Sequence, residues 1–148
     1  MNILIDTNVL LRERQAESNQ HQQARNALRE LIVQGHTLIV TPQVLAEFWN
    51  VCTRPSKNNG LGMKTSDVTK ILENIMQIFS LHRDKPEAFD HWLDIIKKND
   101  VKGVQVHDAR LVAAMIAYGI THILTFNTKD FKRFQGITII DPKDVGLP

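Results

Sequence analysis

Residues 107–126, with the sequence HDARLVAAMIAYGITHILTF, decide the class of fold. Apolar side chains recur at helical spacing as far as Tyr118, and Gly119 then ends the predicted helix. An apolar run at residues 122–126 follows and is typical of a buried strand. A helix that leads straight into a buried strand is typical of α/β proteins, in which helices connect the strands of a parallel sheet.

The same alternation of helix and strand extends over the rest of the chain. The pattern predicts strands at residues 2–5, 37–40, 79–82, 122–126 and 137–140, and helices from residue 9 and at residues 20–34, 42–51, 65–78, 86–98 and 107–118. Strands that are separated by helices pair in parallel through right-handed crossovers. The sequence therefore predicts an α/β protein, a three-layer α/β/α sandwich with a central parallel sheet.

Capping residues support the predicted helix boundaries. Thr41 followed by Pro42 predicts a capped first turn. Gly35 predicts a helix end. Thr65 or Ser66 is expected to cap the helix that follows the loop.

The length of 148 residues predicts one domain, residues 1–148, that is large enough to bury a core without disulfides. The segment 54–64, RPSKNNGLGMK, contains one proline, two glycines and two asparagines, which indicates a loop within this domain. The aromatic side chains Phe48, Trp49 and Trp92 are expected in the core, and not on a base-stacking surface.

Net charge, cysteine content and the length of the apolar stretches restrict the classes of protein to which this chain could belong. The net charge of +2 and the pI near 8.8 permit binding to a polyanion without requiring it. Cys52 is the single cysteine, so an intramolecular disulfide and a thiolate zinc site are excluded. No apolar stretch approaches the roughly 18 residues of a membrane span, and the first residues do not resemble a signal peptide. We therefore expect a cytoplasmic protein without a membrane partner.

Four acidic residues are candidates for a site. Asp6, Glu47, Asp108 and Asp130 each follow a predicted strand or lie near the start of a predicted helix. Because the carboxyl ends of parallel strands share one edge of the sheet, distant residues at these ends can converge. Several carboxylates in one pocket repel each other, and a hard divalent cation relieves this repulsion. Without the cation, the repulsion is expected to raise the pKa of at least one carboxyl.

Each acid also has a simpler explanation. Asp6 could cap the first helix, and Asp108 lies in a first helical turn, where acids are favoured in any case. Glu47 shares a helical stripe with apolar residues, so it could form a salt bridge or lie at the rim of that stripe. Asp130 could cap a short turn at residues 131–134. No two histidines have the i, i+4 spacing of a helical zinc site.

Four segments, in this order, resemble the PIN-domain nucleases, particularly the VapC-type toxins of bacterial toxin–antitoxin systems. The segments are ILIDTNVLL at 3–11, TPQVLAEFWNV at 41–51, HDARLVAAMIAYGITHILTFNTKDF at 107–131 and ITIIDP at 137–142. Together they bracket nearly the whole chain. Residues 54–100 carry no family signature, and the loop 54–64 looks like an elaboration of a subgroup.

The resemblance implies a metal-dependent endoribonuclease in which a metal-activated water cleaves RNA. Asp6, Glu47, Asp108 and Asp130 would be its catalytic residues and would hold one or two Mg²⁺ or Mn²⁺ ions. Asn127 stands where the last acid of the family often lies, so Asn127 or Asp130 completes the site.

The resemblance further implies supporting residues and partners. Thr7 and Asn8 resemble the polar pair that orients the first acid or a bound water. Arg110 and Lys129 lie beside the acids and would contact phosphates of the RNA without recognising its sequence. The implied protein partners are a cognate antitoxin, whose peptide would occupy the acidic groove, and a second copy in a homodimer, with the apolar helices before residue 80 as its surface.

Two other classes of function remain open. The chain could be a noncatalytic PIN-fold protein that binds nucleic acid or acts as a scaffold. It could also resemble phosphohydrolases of the haloacid dehalogenase type, with Asp6 as the nucleophile. Those enzymes place a second acid two positions after the first, whereas this chain has Asn8 there. The phosphohydrolase is thus the least supported class.

Overall fold

The fold is built on one parallel sheet, which a computed structural model describes together with the rest of residues 1–146. Its strands are β1 (Asn2–Ile5), β2 (Thr37–Val40), β3 (Ser80–Leu81), β4 (His122–Leu124) and β5 (Thr138–Ile140). They lie in the order β3-β2-β1-β4-β5, and every neighbouring pair is parallel. The predicted α/β class with a central parallel sheet is confirmed.

Helices connect these strands and cover both faces of the sheet. They are α1 (Thr7–Arg14), α2 (His21–Val33), α3 (Pro42–Thr53), α4 (Thr65–Ile78), α5 (Ala88–Lys98), α6 (Val106–Tyr118) and α7 (Thr128–Phe131). Ile3, Leu4 and Ile5 of β1 are all fully buried. Successive strand residues point to opposite faces, so burial of all three requires a helical layer on each side. Along residues 1–146, no helix combines the length and apolarity of a bilayer-crossing segment.

Two of the predicted capping signals behave as expected, and one prediction is wrong. The Thr41 hydroxyl accepts a hydrogen bond from the Val44 backbone N–H, with Pro42 in the first turn of α3. Gly119 ends α6 in a left-handed conformation with φ +67°. Neither Thr65 nor Ser66 caps α4, because the helix already begins at Thr65. Lys64 occupies the capping position there, without a side-chain hydrogen bond.

The elements around β4 differ from the sequence prediction. The strand β4 ends at Leu124 and does not continue to Phe126. Asp130 does not cap a turn at residues 131–134, because it lies within α7, which begins after Asn127. After β4, the Thr125 hydroxyl donates to the Asp6 carboxylate and the Phe126 backbone N–H donates to the Asn8 side chain, so Phe126 does not extend the strand.

The loop 54–64 folds back onto the end of α3. The Met63 and Leu61 backbone N–H groups donate to the carbonyls of Cys52 and Val51, at 2.8 and 2.9 Å. A side chain at Gly60 would place its Cβ 1.9 Å from the Arg54 carbonyl oxygen. Glycine is therefore required for this close approach of two backbone segments.

Candidate active site

The first candidate acid lies where two neighbouring strands end. Asp6 directly follows β1 and Thr125 directly follows β4. The register pairs Ile5 with Leu124, and the Asp6 backbone N–H continues this pairing with a 3.0 Å hydrogen bond to the Leu124 carbonyl. The sheet therefore places Thr125 beside Asp6, although 119 residues separate them in sequence.

Four residues form a hydrogen-bonded unit around the Asp6 carboxylate, which we call the strand-end network: Asp6, Thr7, Asn8 and Thr125. The Asp6 side chain is only 6% exposed. Its Oδ1 accepts the Thr7 backbone N–H at 2.7 Å, so Asp6 does cap α1. Its Oδ2 accepts the Thr125 hydroxyl at 2.7 Å and the Asn8 amide at 3.2 Å. Capping of α1 therefore accounts for the contact of Oδ1, whereas Oδ2 accepts hydrogen bonds from the side chains of Thr125 and Asn8.

Asn8 also holds the segment that follows β4. Its Oδ1 accepts the Phe126 backbone N–H at 3.2 Å, and its Nδ2 lies 3.3 Å from the Thr125 hydroxyl oxygen. An acidic residue in place of Asn8 would have no amide N–H to donate to the Asp6 carboxylate. The contacts of Asn8 are consistent with the predicted orienting role for this residue.

Glu47 reaches the same edge from α3. Its Oε2 accepts the Thr7 hydroxyl at 3.0 Å, and its Oε1 accepts the Gln43 amide at 2.9 Å. The same Gln43 amide donates to the His107 carbonyl at 2.8 Å, which joins α3 to the first turn of α6. Glu47 is half-buried and is held by neutral donors. Glu47 therefore lies on its predicted helical stripe. Its carboxylate accepts hydrogen bonds and forms no salt bridge among the described residues.

Asp108 and Asp130 approach from the two following helices, and we call them the helix-end pair. Asp108 is half-buried in the first turn of α6, and Asp130 is exposed in α7. Within residues 1–146, no side-chain hydrogen bond engages either carboxylate. Asn127 is exposed at the start of α7, where its backbone N–H donates to the Thr125 hydroxyl at 3.0 Å.

Two of the four acids, Asp6 and Asp108, have raised pKa values. Burial raises the pKa of Asp6 from 3.8 to about 6. The charges of Glu47 and Asp130 add to this shift, and the hydrogen bonds from Thr125 and Thr7 oppose it. Burial also raises the pKa of Asp108 to about 6, with further contributions from Asp6, Asp130 and Glu47. The predicted rise is confirmed in direction, but desolvation contributes more than mutual repulsion.

The donor set fits a hard divalent cation. All four candidate side chains offer carboxylate oxygens, which Mg²⁺ and Mn²⁺ favour. Among residues 1–146, no three His, Cys, Asp or Glu side chains already stand close enough to share one ion. Glu47 accepts hydrogen bonds from Gln43 and Thr7, and a cation between the four acids would relieve their mutual repulsion. The ligand role of the four acids stays a prediction.

Cationic side chains lie beside the acids. Arg110 pairs with Asp84 at 3.5 Å, and both side chains are more than half exposed. Lys129 is exposed in α7. Arg133 is the cation whose charge lowers the pKa of Asp108, and its guanidinium donates to the Gln105 amide oxygen. Phosphate binding by Arg110 and Lys129 remains a prediction.

The sequence analysis missed two residues of this site. Gln43 could have been found, because it lies one helical turn before Glu47 at the i, i+4 spacing that brings side chains together. Thr125 follows a predicted strand, as Asp6 does. Its partnership with Asp6 depends on β1 and β4 being neighbours, and the sequence pattern carries no information on strand order.

Comparison with known proteins identifies the family. The PIN domain family matches residues 3–137, so the chain belongs to the PIN-domain family. No curated protein sequence matches the chain. The fold is similar to that of several solved toxin–antitoxin structures, each with less than 20% sequence identity.

VapBC2 from Rickettsia felis, solved bound to a DNA fragment from its promoter, has a TM-score of 0.73 and 17% identity over 95% of this chain and 98% of that chain. A toxin–antitoxin complex from Klebsiella pneumoniae has a TM-score of 0.65 and 17% identity, over 95% and 97% of the two chains. VapC20 from Mycobacterium tuberculosis, a toxin that cleaves the sarcin–ricin loop, has a TM-score of 0.61 and 16% identity, over 82% and 86%. The predicted resemblance to VapC-type PIN proteins is confirmed at the level of the fold.

Proposed function

We propose that this protein is a metal-dependent endoribonuclease and the toxin of a toxin–antitoxin pair. One observation carries the proposal: Thr7 joins the carboxylates of Asp6 and Glu47 at the carboxyl edge of a PIN-domain sheet, and the charges of neighbouring acids add to the raised pKa values of Asp6 and Asp108. Buried carboxyls with raised pKa values within a group of acids are typical of a catalytic site. One of the similar proteins, VapC20, is a toxin that cleaves the sarcin–ricin loop.

The chemistry explains why acids would serve an anionic substrate. Cleavage of a phosphodiester bond builds negative charge on the phosphate oxygens, and carboxylates cannot stabilise that charge themselves. A bound Mg²⁺ or Mn²⁺ would supply Lewis acidity and lower the pKa of a water. Asp6, Glu47 and Asp108 would hold the ion, and Asp130 or Asn127 would complete the site.

The remaining residues would position the acids and the RNA. The hydroxyl of Thr125 and the amide of Asn8 fix the orientation of Asp6. Gln43 fixes Glu47 and links it to the first turn of α6. Arg110, Lys129 and Arg133 would attract the phosphates of the strand, which positions RNA without sequence recognition.

Isosteric substitutions of the acids test this proposal. We expect Asp6→Asn and Asp108→Asn to reduce cleavage of structured RNA with Mg²⁺ or Mn²⁺ by about 100-fold or more, because each removes an anionic ligand. Asp67→Asn is a matched control, since Asp67 is an exposed acid in the first turn of α4. Equal cleavage by the wild type and by Asp6→Asn contradicts the proposal.

The noncatalytic alternative has its own signature. RNA binding without cleavage, together with no Mn²⁺ uptake at millimolar concentration, would favour a PIN-fold binding or scaffold protein. Isothermal titration calorimetry of the wild type with MnCl₂ makes this measurement. Heat of binding that is lost in Asp108→Asn supports the nuclease.

The proposed partners are an antitoxin and a second copy of the chain. An antitoxin peptide with a basic side chain would fill the acidic groove and neutralise its carboxylates. Ile32 and Val33 of α2 and Met76 and Ile78 of α4 are large apolar residues that are exposed, which suits a homodimer surface. Because the substrate would be RNA, we place its action in the cytoplasm.

Sedimentation equilibrium tests the homodimer directly. We expect twice the chain mass of 16.9 kDa for the wild type and a monomer for Ile78→Asp, which places a charge in the proposed interface. A wild-type monomer at micromolar concentration contradicts the homodimer but leaves the nuclease proposal untouched.

A further inference from the structure

A cavity adjoins the acidic site on the side of α5. Its volume is about 470 Å³, which is within the range of small-ligand sites. Its lining includes Phe89, Trp92, Gln43 and Arg110. A neighbouring cavity of about 510 Å³ is lined by Glu47 and shares Gln43 and Arg110 with the first. Gln43 and Arg110 therefore lie between the cavity that holds the aromatic side chains and the cavity that holds a candidate metal ligand.

Phe89 is exposed to an unusual degree for a large aromatic residue. Its side chain is 61% exposed, whereas Phe48 and Phe131 are fully buried. Phe89 lies in the first turn of α5 and lines the cavity. A large apolar side chain that faces a cavity beside a site indicates a binding surface.

The second aromatic ring of the cavity is held in a fixed orientation. The Trp92 indole N–H donates to the Val106 carbonyl at 2.9 Å, two residues before Asp108. The centroid of the Phe89 ring lies 5.9 Å from that of Trp92, with 35° between the ring planes. The expectation that Trp92 belongs to the core is wrong in part, since it is half-buried and lines the cavity.

The charge available at this cavity is that of Arg110. Its ion pair with Asp84 is solvent-exposed, and such pairs contribute little to stability, so a phosphate can replace Asp84 at low cost. Lys85 also lines the cavity, but its ammonium already lies 4.2 Å from the centre of the Tyr118 ring and 3.3 Å from the Ala117 carbonyl oxygen. The cavity thus combines aromatic faces with one exchangeable cation.

We propose that Phe89 and Trp92 bind one unpaired nucleobase of the RNA strand, with Arg110 on an adjacent phosphate and the scissile bond next to the four acids. Unstacked bases of single-stranded RNA bind on aromatic faces, whereas a duplex keeps its bases inside the helix. The proposal rests on the proposed ribonuclease function and deepens it. It names the residues that would bind an unpaired base beside the cleaved bond.

Binding to defined RNA tests the subsite without relying on cleavage. The probes are fluorescein-labelled oligouridylate and oligoadenylate, with a duplex RNA for comparison, measured by anisotropy in EDTA. We expect Phe89→Ala to weaken single-strand binding by about 5-fold to 100-fold, the effect of removing one base–aromatic stack. Phe89→Trp keeps the aromatic face and should bind as the wild type does. Ile116→Ala is the matched control, since Ile116 is 42% exposed in the last turn of α6, at the opposite end of that helix from Asp108.

Two results would overturn the subsite. One is wild-type affinity of Phe89→Ala for both single strands. The other is a change of oligomeric state in Phe89→Ala, measured by sedimentation, because the aromatic face would then bind another protein chain. Should Phe89→Ala fail to fold, Phe89→Leu keeps the apolar volume without the ring face and should show the same loss of binding.

Cleavage assays separate this proposal from the proposed function. If Asp108→Asn abolishes Mn²⁺-dependent cleavage while Phe89→Ala binds normally, the nuclease stands and the base subsite is wrong. If Phe89→Ala weakens binding while the wild type cleaves no RNA, the base subsite stands and the nuclease is wrong.

Discussion

The two halves of the acidic site are held in different ways. In the strand-end network, three donors from Thr7, Asn8 and Thr125 fix a carboxylate that is 6% exposed. In the helix-end pair, Asp108 and Asp130 are positioned by their helices alone, with no side-chain hydrogen bond in the part of the chain that the structure describes. One half is thus organised before a ligand arrives. The other half has freedom to adjust when a cation relieves its repulsion.

Loss of the Thr125 hydroxyl should have the largest effect among the variants that leave all four acids in place. Thr125→Val removes the donor to Asp6 Oδ2 at nearly constant shape, and we expect a decrease in cleavage of about 10-fold to 100-fold. Since this hydrogen bond lowers the pKa of Asp6, its loss should also shift the acid limb of the pH–rate profile to higher pH. Thr125→Ser restores the donor and is the control. Unchanged rate and profile in Thr125→Val would show that the network does not organise the site.

A divalent cation should stabilise the protein in a pH-dependent manner. Asp6 and Asp108 have pKa values of about 6, so both are largely ionised at pH 8 and largely protonated at pH 5. Because ligands must be deprotonated, Mn²⁺ at about 100 times its Kd should add about 2.7 kcal/mol at pH 8 and much less at pH 5. Differential scanning fluorimetry measures this. Equal stabilisation at the two pH values would place the ion away from these acids.

Neutralising one member of the helix-end pair should stabilise the metal-free protein. Burial raises the pKa of Asp108 from 3.8 to about 6, so the folded protein loses stability as the pH rises from about 4 to 6. Asp108→Asn should therefore gain roughly 1 kcal/mol at pH 8, allowing for water access, and nothing at pH 4. Asp6→Asn should gain less, because its amide would face the Asn8 donor. Urea unfolding in EDTA measures the gain in stability of each variant. A larger gain in Asp6→Asn than in Asp108→Asn would contradict the proposed difference between the two halves of the site.

Arg110 should have the smallest effect. Arg110→Gln should weaken RNA binding a few-fold and reduce the salt dependence of log K by about 0.7, the contribution of one phosphate contact on a single strand. Lys70→Gln, at an exposed position of α4, is the control. Anisotropy titrations over a series of salt concentrations measure the slope. An unchanged slope in Arg110→Gln would remove Arg110 from the RNA surface.

Much of the fold could be predicted because short stretches of sequence determine the individual strands and helices. The apolar runs of β1 and β2 and the signals at Thr41 and Gly119 lie within a few residues of the structure they specify. The errors fall where a distant contact overrides the local pattern. Phe126 looks like the end of a strand, but its backbone N–H bonds to the Asn8 side chain and the chain leaves the sheet. Strand order likewise depends on contacts that no local pattern records.

The acids of the site could be predicted as a set, whereas their supporting contacts could not. Asp6 and Asp108 stand out because strand ends and first helical turns have local signals. The difference between the strand-end network and the helix-end pair depends on which hydrogen-bond donors the fold places beside each carboxylate. For Asp6 that includes Thr125, a neighbour only through the pairing of β1 with β4.

The short outer strands of the sheet restrict how another protein can attach. β3 has two residues and β5 has three, so each rim of the sheet offers few free backbone groups as a template for strand addition. A peptide that extended the sheet there would gain only a small number of main-chain hydrogen bonds. Recognition by a partner should therefore use helical surfaces and grooves, and inhibitory peptides for this protein are better designed as helices than as extended strands.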